Sequence, residues 1–182
     1  LVGSEMCIET GPGARAREYE DALVWLQNAG LIYKVSLCQT PQVPLKSYED
    51  LSIFKIYCLD VGLLRVLSEV SPEAYFNDNP AFKEFKGALA ENYVLQSLTA
   101  SGVKCSRYWA SGNKAEVEFI IQEGLDIIPI EVKSGTSVTG KSLVEYNKKY
   151  SPKLRLRFSM LNMKKDDTFV NMPLFMADRA KG

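Results

Sequence analysis

One stretch, Glu116 to Lys133, constrains this chain most, because its side chains alternate with a strict period of two on both sides of a glycine. Val117, Phe119 and Ile121 alternate with Glu116 and Glu118, and Ile128, Ile130 and Val132 alternate with Glu131 and Lys133. Period two is the signature of a strand. Between the two runs, Glu123-Gly124-Leu125-Asp126 puts glycine at the first central position of a two-residue turn, as a type II′ hairpin requires. That turn pairs Glu123 with Asp126 and fixes the register beyond it, so that Glu118 faces Glu131 and Glu116 faces Lys133. Directly opposed residues have Cβ atoms about 4.5–5.5 Å apart, where like charges are destabilising. Three carboxylates and a lysine on one face of a hairpin call for a cation or a purpose.

With 182 residues, 46% of them hydrophobic and 24% charged, the chain can hold one sizeable globular domain or two small ones. Its longest apolar runs are too short to span a membrane and no signal-peptide pattern is read, so a cytoplasmic protein without a membrane partner is expected. Cys7, Cys38, Cys58 and Cys105 are widely spaced and read as reduced thiols. Histidine is absent, which excludes Ser-His and Cys-His catalysis and histidine-ligated zinc. There is no G-x-x-x-x-G-K-[ST] loop for ATP phosphates. The formal net charge of zero hides an asymmetry. Residues 1–131 carry 11 basic and 18 acidic side chains, and residues 132–182 carry 11 basic and 4 acidic.

Residues 1–12 read as a tail or expression remnant. A helix is expected over Glu18–Ala29, closed by Gly30, then a strand over Leu31–Leu37, a loop with Pro41 and Pro44, and a strand over Ser52–Leu59. Asp60 can cap a short helix through Leu67. This segment, 13–70, resembles the later part of a winged-helix unit. Residues 71–79 read as a linker. A helix follows from Pro80, with Asn79 or Asp78 as cap, through Glu91 to about Ala100. Lys104–Trp109 reads as a strand and Ser111-Gly112-Asn113 as a turn before the hairpin. Next come a helix over Ser142–Tyr150 and a half-buried strand in which Leu154, Leu156, Phe158 and Met160 alternate with Arg155, Arg157 and Ser159. The order over 80–182 is α-β-β-β-α-β, an α/β (α+β) arrangement of helices on a mixed sheet. Trp25 and Trp109 read as core or interface rim.

Glu91 lies on the stripe Ala88, Glu91, Leu95, Leu98, among core-facing residues, where an isolated carboxylate is costly. If that helix packs on the sheet, Glu91 points at the acidic face of the hairpin. Oxygen ligands of this kind suit Mg²⁺ or Mn²⁺. A metal held there would activate water and stabilise charge on a phosphodiester, with Lys133 orienting the nucleophile or steadying the leaving group.

Glu91 on a helix, then Glu118, then Glu131-Val-Lys133, in α-β-β-β-α-β order, resembles the PD-(D/E)xK restriction-endonuclease-like fold. More narrowly, Gly87-Ala-Leu-Ala-Glu91-Asn-Tyr-Val, Tyr108-Trp109, Ala115-Glu-Val-Glu118-Phe and Ile130-Glu-Val-Lys-Ser-Gly135 resemble the uncharacterised C-terminal domain of prokaryotic AAA+-type ATPases. Tyr19-Glu-Asp-Ala-Leu and Phe54-Lys-Ile-Tyr-Cys-Leu-Asp60-Val-Gly-Leu-Leu64 look like that family's winged-helix connector. The resemblance implies a parent with an ATP-binding P-loop module before residue 1, which would be a partner of this segment. It also implies a metal site of Glu91, Glu118 and Glu131, a supporting acid at Glu116 and a catalytic amine at Lys133. The family position matched by Glu118 usually holds Asp, so this chain departs from the pattern at a ligand position.

Two functions are carried forward. One is a Mg²⁺- or Mn²⁺-dependent nuclease-like domain acting on DNA under control of the ATPase. The other is a catalytically decayed nuclease-fold module for nucleic-acid or protein interaction that regulates the ATPase. Lys153, Arg155 and Arg157, on one side of a strand, are the candidate contacts to a phosphate backbone, with a solvated outer face as the plainer alternative. Homo-oligomerisation is left open.

Overall fold

A computed structural model describes residues 19–71, 82–112, 115–136 and 140–180. The expected tail over 1–12, residues 72–79 of the linker, Pro80 with its caps, and Asn113 of the turn lie outside the described residues.

Gly30 takes φ +73°, which lets the chain leave α1 (Glu20–Asn28) and enter β1 (Ile32–Leu37). β2 (Asp50–Cys58) runs antiparallel to β1. Asp60 then caps α2 (Val61–Leu67) as expected, its side chain accepting from the Leu63 N–H at 2.8 Å. Helix α3 (Lys83–Ala100) is the longest described helix, and it buries Phe85, Ala90, Asn92, Val94, Leu95 and Leu98. After it come β3 (Arg107–Ala110), β4 (Glu116–Val117), β5 (Phe119–Glu123) and β6 (Asp126–Val132). Helix α4 (Lys141–Tyr150), β7 (Arg155–Ser159), β8 (Lys164–Asp166), β9 (Phe169–Pro173) and a 3₁₀ turn over Leu174–Arg179 complete the chain. The α-β-β-β-α-β order is observed, with its second strand divided at Glu118. The expected strand over Lys104–Trp109 starts later, at Arg107.

Two mixed sheets result, ordered β2-β1-β3-β4 and β5-β6-β7-β9-β8. β5 and β6 are antiparallel in the predicted register, from Glu123↔Asp126 to Phe119↔Ile130, and Gly124 supplies the φ of +60° that the turn requires. β7 lies parallel to β6 through the α4 crossover, and β9 lies parallel to β7. The segments read separately as 13–70 and 80–182 share a sheet, because β1 pairs in parallel with β3 through Ser36↔Arg107 and Leu37↔Tyr108. They share a core as well: Val35, Leu37 and Tyr57 pack in one cluster with Val94, Leu95, Phe119 and Ile130.

Neither face of the hairpin is open. Phe119 and Ile121 join the cluster under α3, whereas Ile120 packs on the other face with Trp109, Leu143 and Tyr146. Trp109 meets Tyr146 and Tyr150 of α4 edge-on, with centroids 5.0 and 6.0 Å apart. The sequence reading of Leu154–Met160 as a half-buried strand needs correction. Arg157 and Ser159, on its polar side, are buried: the start of α4 lies against Arg157, and Ser159 donates to Asn171 of β9. Of the two alternatives for Trp25, core or interface rim, the core is ruled out, because the side chain is 65% exposed on α1.

Candidate functional site

Glu118 is where the two sheets part. The residues before it pair with β3, as Trp109↔Val117 and Ala110↔Glu116, and those after it pair with β6. A ladder shared between two partner strands in this way bends at the changeover. The expected pairing of Glu116 with Lys133 is therefore not formed. Glu116 turns away and makes its ion pair with Lys55 of β2.

The ladder ends at Phe119↔Ile130, so the expected Glu118–Glu131 strand pair is not part of it, and the two carboxylates meet through Lys133. Glu118, only 8% exposed, accepts from the Val132 N–H at 3.1 Å and from Lys133 Nζ at 3.4 Å. Glu131 is fully buried. Its Oε2 accepts from Arg157 Nε at 2.7 Å, a pair set by the parallel register Glu131↔Arg157. Its Oε1 has no hydrogen-bond partner, and Lys133 Nζ stands 3.6 Å away. Lys133 thus sits between two carboxylates, while its own N–H is fixed to the Phe158 carbonyl at 2.8 Å.

Arg157 reaches Glu131 through a notch that only glycine leaves open. A Cβ on Gly140, at the start of α4, would run into the Arg157 guanidinium. The Phe169 ring closes the far side, its centroid 4.9 Å from Arg157 Cζ. Arg157 is 9% exposed and committed to Glu131, so it is no part of an outward basic face. Arg155 donates to Thr168 Oγ1 at 2.9 Å, and the exposed Lys153 pairs with Asp126 at 2.9 Å. The three basic residues read as one phosphate-contacting side therefore point to three different tasks.

Glu91 approaches from α3 and accepts from Tyr57 OH at 2.9 Å. With Glu116, Glu118, Lys55 and Tyr57 it lines a cavity of about 700 Å³ between α1, α2, β2 and α3. Asn92, next on α3, clamps the edge of β2 by accepting from the Cys58 N–H at 2.9 Å and donating to the Cys58 carbonyl at 3.0 Å. Lys55, Tyr57, Asn92, Gly140 and the inward role of Arg157 were not among the site residues expected from the sequence. Lys55 and Tyr57 carried a usable signal, since they are two apart on a strand and share a face with buried Val35.

The electrostatics follow from burial. Desolvation pushes the Glu118 carboxyl up to about 7, a rise that Lys133 opposes and the Glu91 charge reinforces. Glu91 is raised by burial too, against the pull of Lys55 and the Tyr57 hydrogen bond. Burial also raises Tyr57, helped by Glu91, which keeps its hydroxyl a donor. Burial alone would lower Lys133, but Glu118 and Glu131 outweigh it and hold the ammonium above its ordinary value. Four carboxylates (Glu91, Glu116, Glu118, Glu131) are thus met by three resident cations (Lys55, Lys133, Arg157).

A hard divalent ion takes oxygen ligands, and these carboxylates offer only oxygen, with Glu131 Oε1 unsatisfied. In chemistry the set fits Mg²⁺ or Mn²⁺. Among the described residues no three His, Cys, Asp or Glu side chains are gathered to hold a metal ion. Lys133 and Arg157 stand against the carboxylates of Glu118 and Glu131.

Comparison with known proteins adds families but no activity. Residues 86–175 match the family described as Domain of unknown function (DUF4143), which covers α3 through the final strand β9. Residues 4–74 match a second family, Domain of unknown function (DUF8612). No curated protein and no solved structure matches the chain. Among the described residues no helix is long and apolar enough to cross a membrane.

Proposed function

We propose that this chain is a nuclease-fold module that has exchanged hydrolysis for binding, serving an AAA+-type ATPase as an interaction domain with DNA as its partner. The observation that carries this reading is the Arg157–Glu131 pair. A fully buried carboxylate held at 2.7 Å by a buried guanidinium already has its counter-charge. Removing either partner from such a pair costs about 3–5 kcal/mol, so Glu131 is not readily given up to a metal ion. The Glu118 side chain agrees with this, because it spends one oxygen on the Val132 N–H and the other on Lys133. Its extra methylene, relative to the Asp of the family it resembles, suits that inward reach. The nuclease-like site is kept as a charge-balanced joint between two sheets.

The test is a titration of Mg²⁺ and Mn²⁺ followed by thermal unfolding, run beside a plasmid-cleavage assay and salt-dependent DNA binding. This reading expects DNA binding with neither cleavage nor a metal-dependent rise in Tm. Mn²⁺-dependent cleavage that disappears in Lys133→Ala and Glu118→Gln would overturn it. The second reading, an active metal-dependent nuclease-like site, is favoured by the unpartnered Oε1 of Glu131. Were a cation to bind there, Glu131 and Glu118 would hold it and Glu91 would face it from α3, and the ion would supply charge stabilisation to a phosphodiester.

A further inference from the structure

We propose that the cavity between α1 and α3 binds an organic cation with an apolar tail, a primary alkylammonium, whose charged end is held by Glu91. The starting point is α1, none of whose nine residues is buried. Its Leu23 and Leu26, one turn apart on the same face, line the cavity instead of packing in a core. A helix this short is marginal unless something covers that face. Ile32 of β1, Ile56 of β2 and Leu64 and Leu67 of α2 line the same space, so part of its wall is aliphatic. Its volume of about 700 Å³ lies in the range of small-molecule sites.

The polar part of the wall is short of positive charge. Its carboxylates are Glu84, Glu91, Glu116 and Glu118, and among the described lining residues its one cation is Lys55. Lys55 is taken by Glu116. Glu118 is met by Lys133, which does not line the cavity, and by the Val132 N–H. Glu84 is exposed to solvent. Glu91 is left with a neutral partner, because only the Tyr57 hydroxyl donates to it, at 2.9 Å to Oε2. A carboxylate away from bulk water with no counter-charge is costly. An ammonium group carries three donors, and two acceptors stand ready for it: Oε1 of Glu91 and the Tyr57 oxygen, which keeps its lone pairs after donating. The tail then covers the aliphatic wall, including the open face of α1. A bare metal ion would leave that wall uncovered, and an uncharged apolar ligand would leave Glu91 unanswered. An amphiphilic amine meets both.

This inference goes beyond the DNA reading given under Proposed function and does not rest on it. Isothermal titration calorimetry of the whole chain near neutral pH, with octylammonium, octanol, octanoate and ethylammonium, separates the charge from the tail. Octylammonium should bind once per chain, octanol at least about tenfold more weakly, and octanoate and ethylammonium not measurably. Shortening the tail should weaken binding roughly threefold for each methylene removed. Glu91→Gln should bring octylammonium down to the affinity of octanol, whereas Glu123→Gln, outside the cavity, should change little. Circular dichroism of each variant shows that it is folded, and the ligand series on the wild-type chain needs no variant. Amide hydrogen exchange along α1 should slow when octylammonium is bound. Equal affinities for octanol and octylammonium, with no effect of Glu91→Gln, would make the cavity merely apolar and overturn the assignment. Octylammonium binding that leaves exchange in α1 unchanged would place the ligand elsewhere and overturn it as well. So would the absence of any binding to the wild-type chain. DNA binding measured in the assay given above stands or falls separately from each of these outcomes.

Discussion

Helix α3 divides two cavities of similar size and opposite chemistry. On one side Glu84, Gly87, Ala88, Glu91 and Asn92 face about 700 Å³ shared with Glu116, Glu118 and Lys55. On the other, Lys86, Leu89, Ala90 and Tyr93 face about 900 Å³ shared with Arg65 and the loop after β6. At about 100° per residue the two sets lie on opposite sides of the helix. The difference between them is how charge is balanced. The acidic side is answered from within, by Lys55, Lys133, Arg157 and the Tyr57 hydroxyl. Around the other side the lining includes Arg65, Lys86 and Tyr93 and, among the described residues, no carboxylate.

The largest expected effect breaks the internal balance. Arg157→Met takes from buried Glu131 its hydrogen-bonded guanidinium and leaves only Lys133, 3.6 Å away, so it should destabilise the chain by up to about 3–5 kcal/mol, read as a lower urea midpoint. Arg157→Met combined with Glu131→Leu should recover most of that loss, because replacing both members of a buried pair with apolar groups is often neutral. A double variant as unstable as the single one would mean that the pair does more than neutralise itself. Gly140→Ala tests the same joint from the outside, since its new methyl must displace the guanidinium.

Next in size is a pH dependence confined to the acidic side. Glu118 is raised from 4.5 to about 7 in the folded chain. Between those values the folded state keeps a proton that the unfolded state has lost, so stability is greatest below about pH 4.5 for this group. It declines as pH rises through the window and levels off above about 7. The full shift corresponds to roughly 3 kcal/mol. Glu91, also raised, adds to the same slope. Glu118→Gln keeps an acceptor for the Val132 N–H and removes the charge, so urea midpoints at pH 5 and pH 8 should draw closer together than in the wild type. An unchanged difference would place the titration elsewhere.

How much of this was legible beforehand depends on which contacts are local. The hairpin register from Glu123↔Asp126 to Phe119↔Ile130 follows from Gly124 and a period of two, both written within a few residues. The Asp60 cap is equally local. The bend at Glu118 is not, because it depends on β3 taking Val117 while β6 takes Phe119. Nor is the inward turn of Arg157. An alternating Arg-x-Arg strand looks solvated until a helix start is laid over it, and that contact joins residues brought together only by the fold. Of the three carboxylates read from sequence as metal ligands, Glu118 and Glu131 share Lys133, whereas Glu91 lines a cavity with Glu118. Strand β9 and its Asn171, which accepts from Ser159 Oγ at 2.8 Å, had no periodic signal strong enough to be read.

A smaller effect tests whether α3 also holds the wall of the acidic cavity. Asn92→Leu fits a buried position but removes both hydrogen bonds to Cys58. The expected loss is about 1–3 kcal/mol, from leaving a strand-edge N–H and carbonyl without partners. Amide hydrogen exchange should quicken at Cys58 and along β2, and remain slow in β6 and β7. Equal acceleration in all three would show that the two sheets open as one unit.

The smallest prediction concerns the basic side. Helix α2, which carries Arg65, has only seven residues, too few to be stable without outside support. Two of its first N–H groups are satisfied from outside the helix backbone: Leu63 by the Asp60 side chain at 2.8 Å, and Val61 by Gln96 of α3 at 3.1 Å. Asp60→Ala removes the first and should cost about 1 kcal/mol, while the second still ties α2 to α3. Amide exchange should quicken along α2, while β6 and β7 stay slow. The pH dependence attributed to Glu118 should be unmoved, because Asp60 makes no contact with the acidic joint. A change in that pH profile on Asp60→Ala would mean that the two sides of α3 are coupled, and that the separation drawn between them is too sharp.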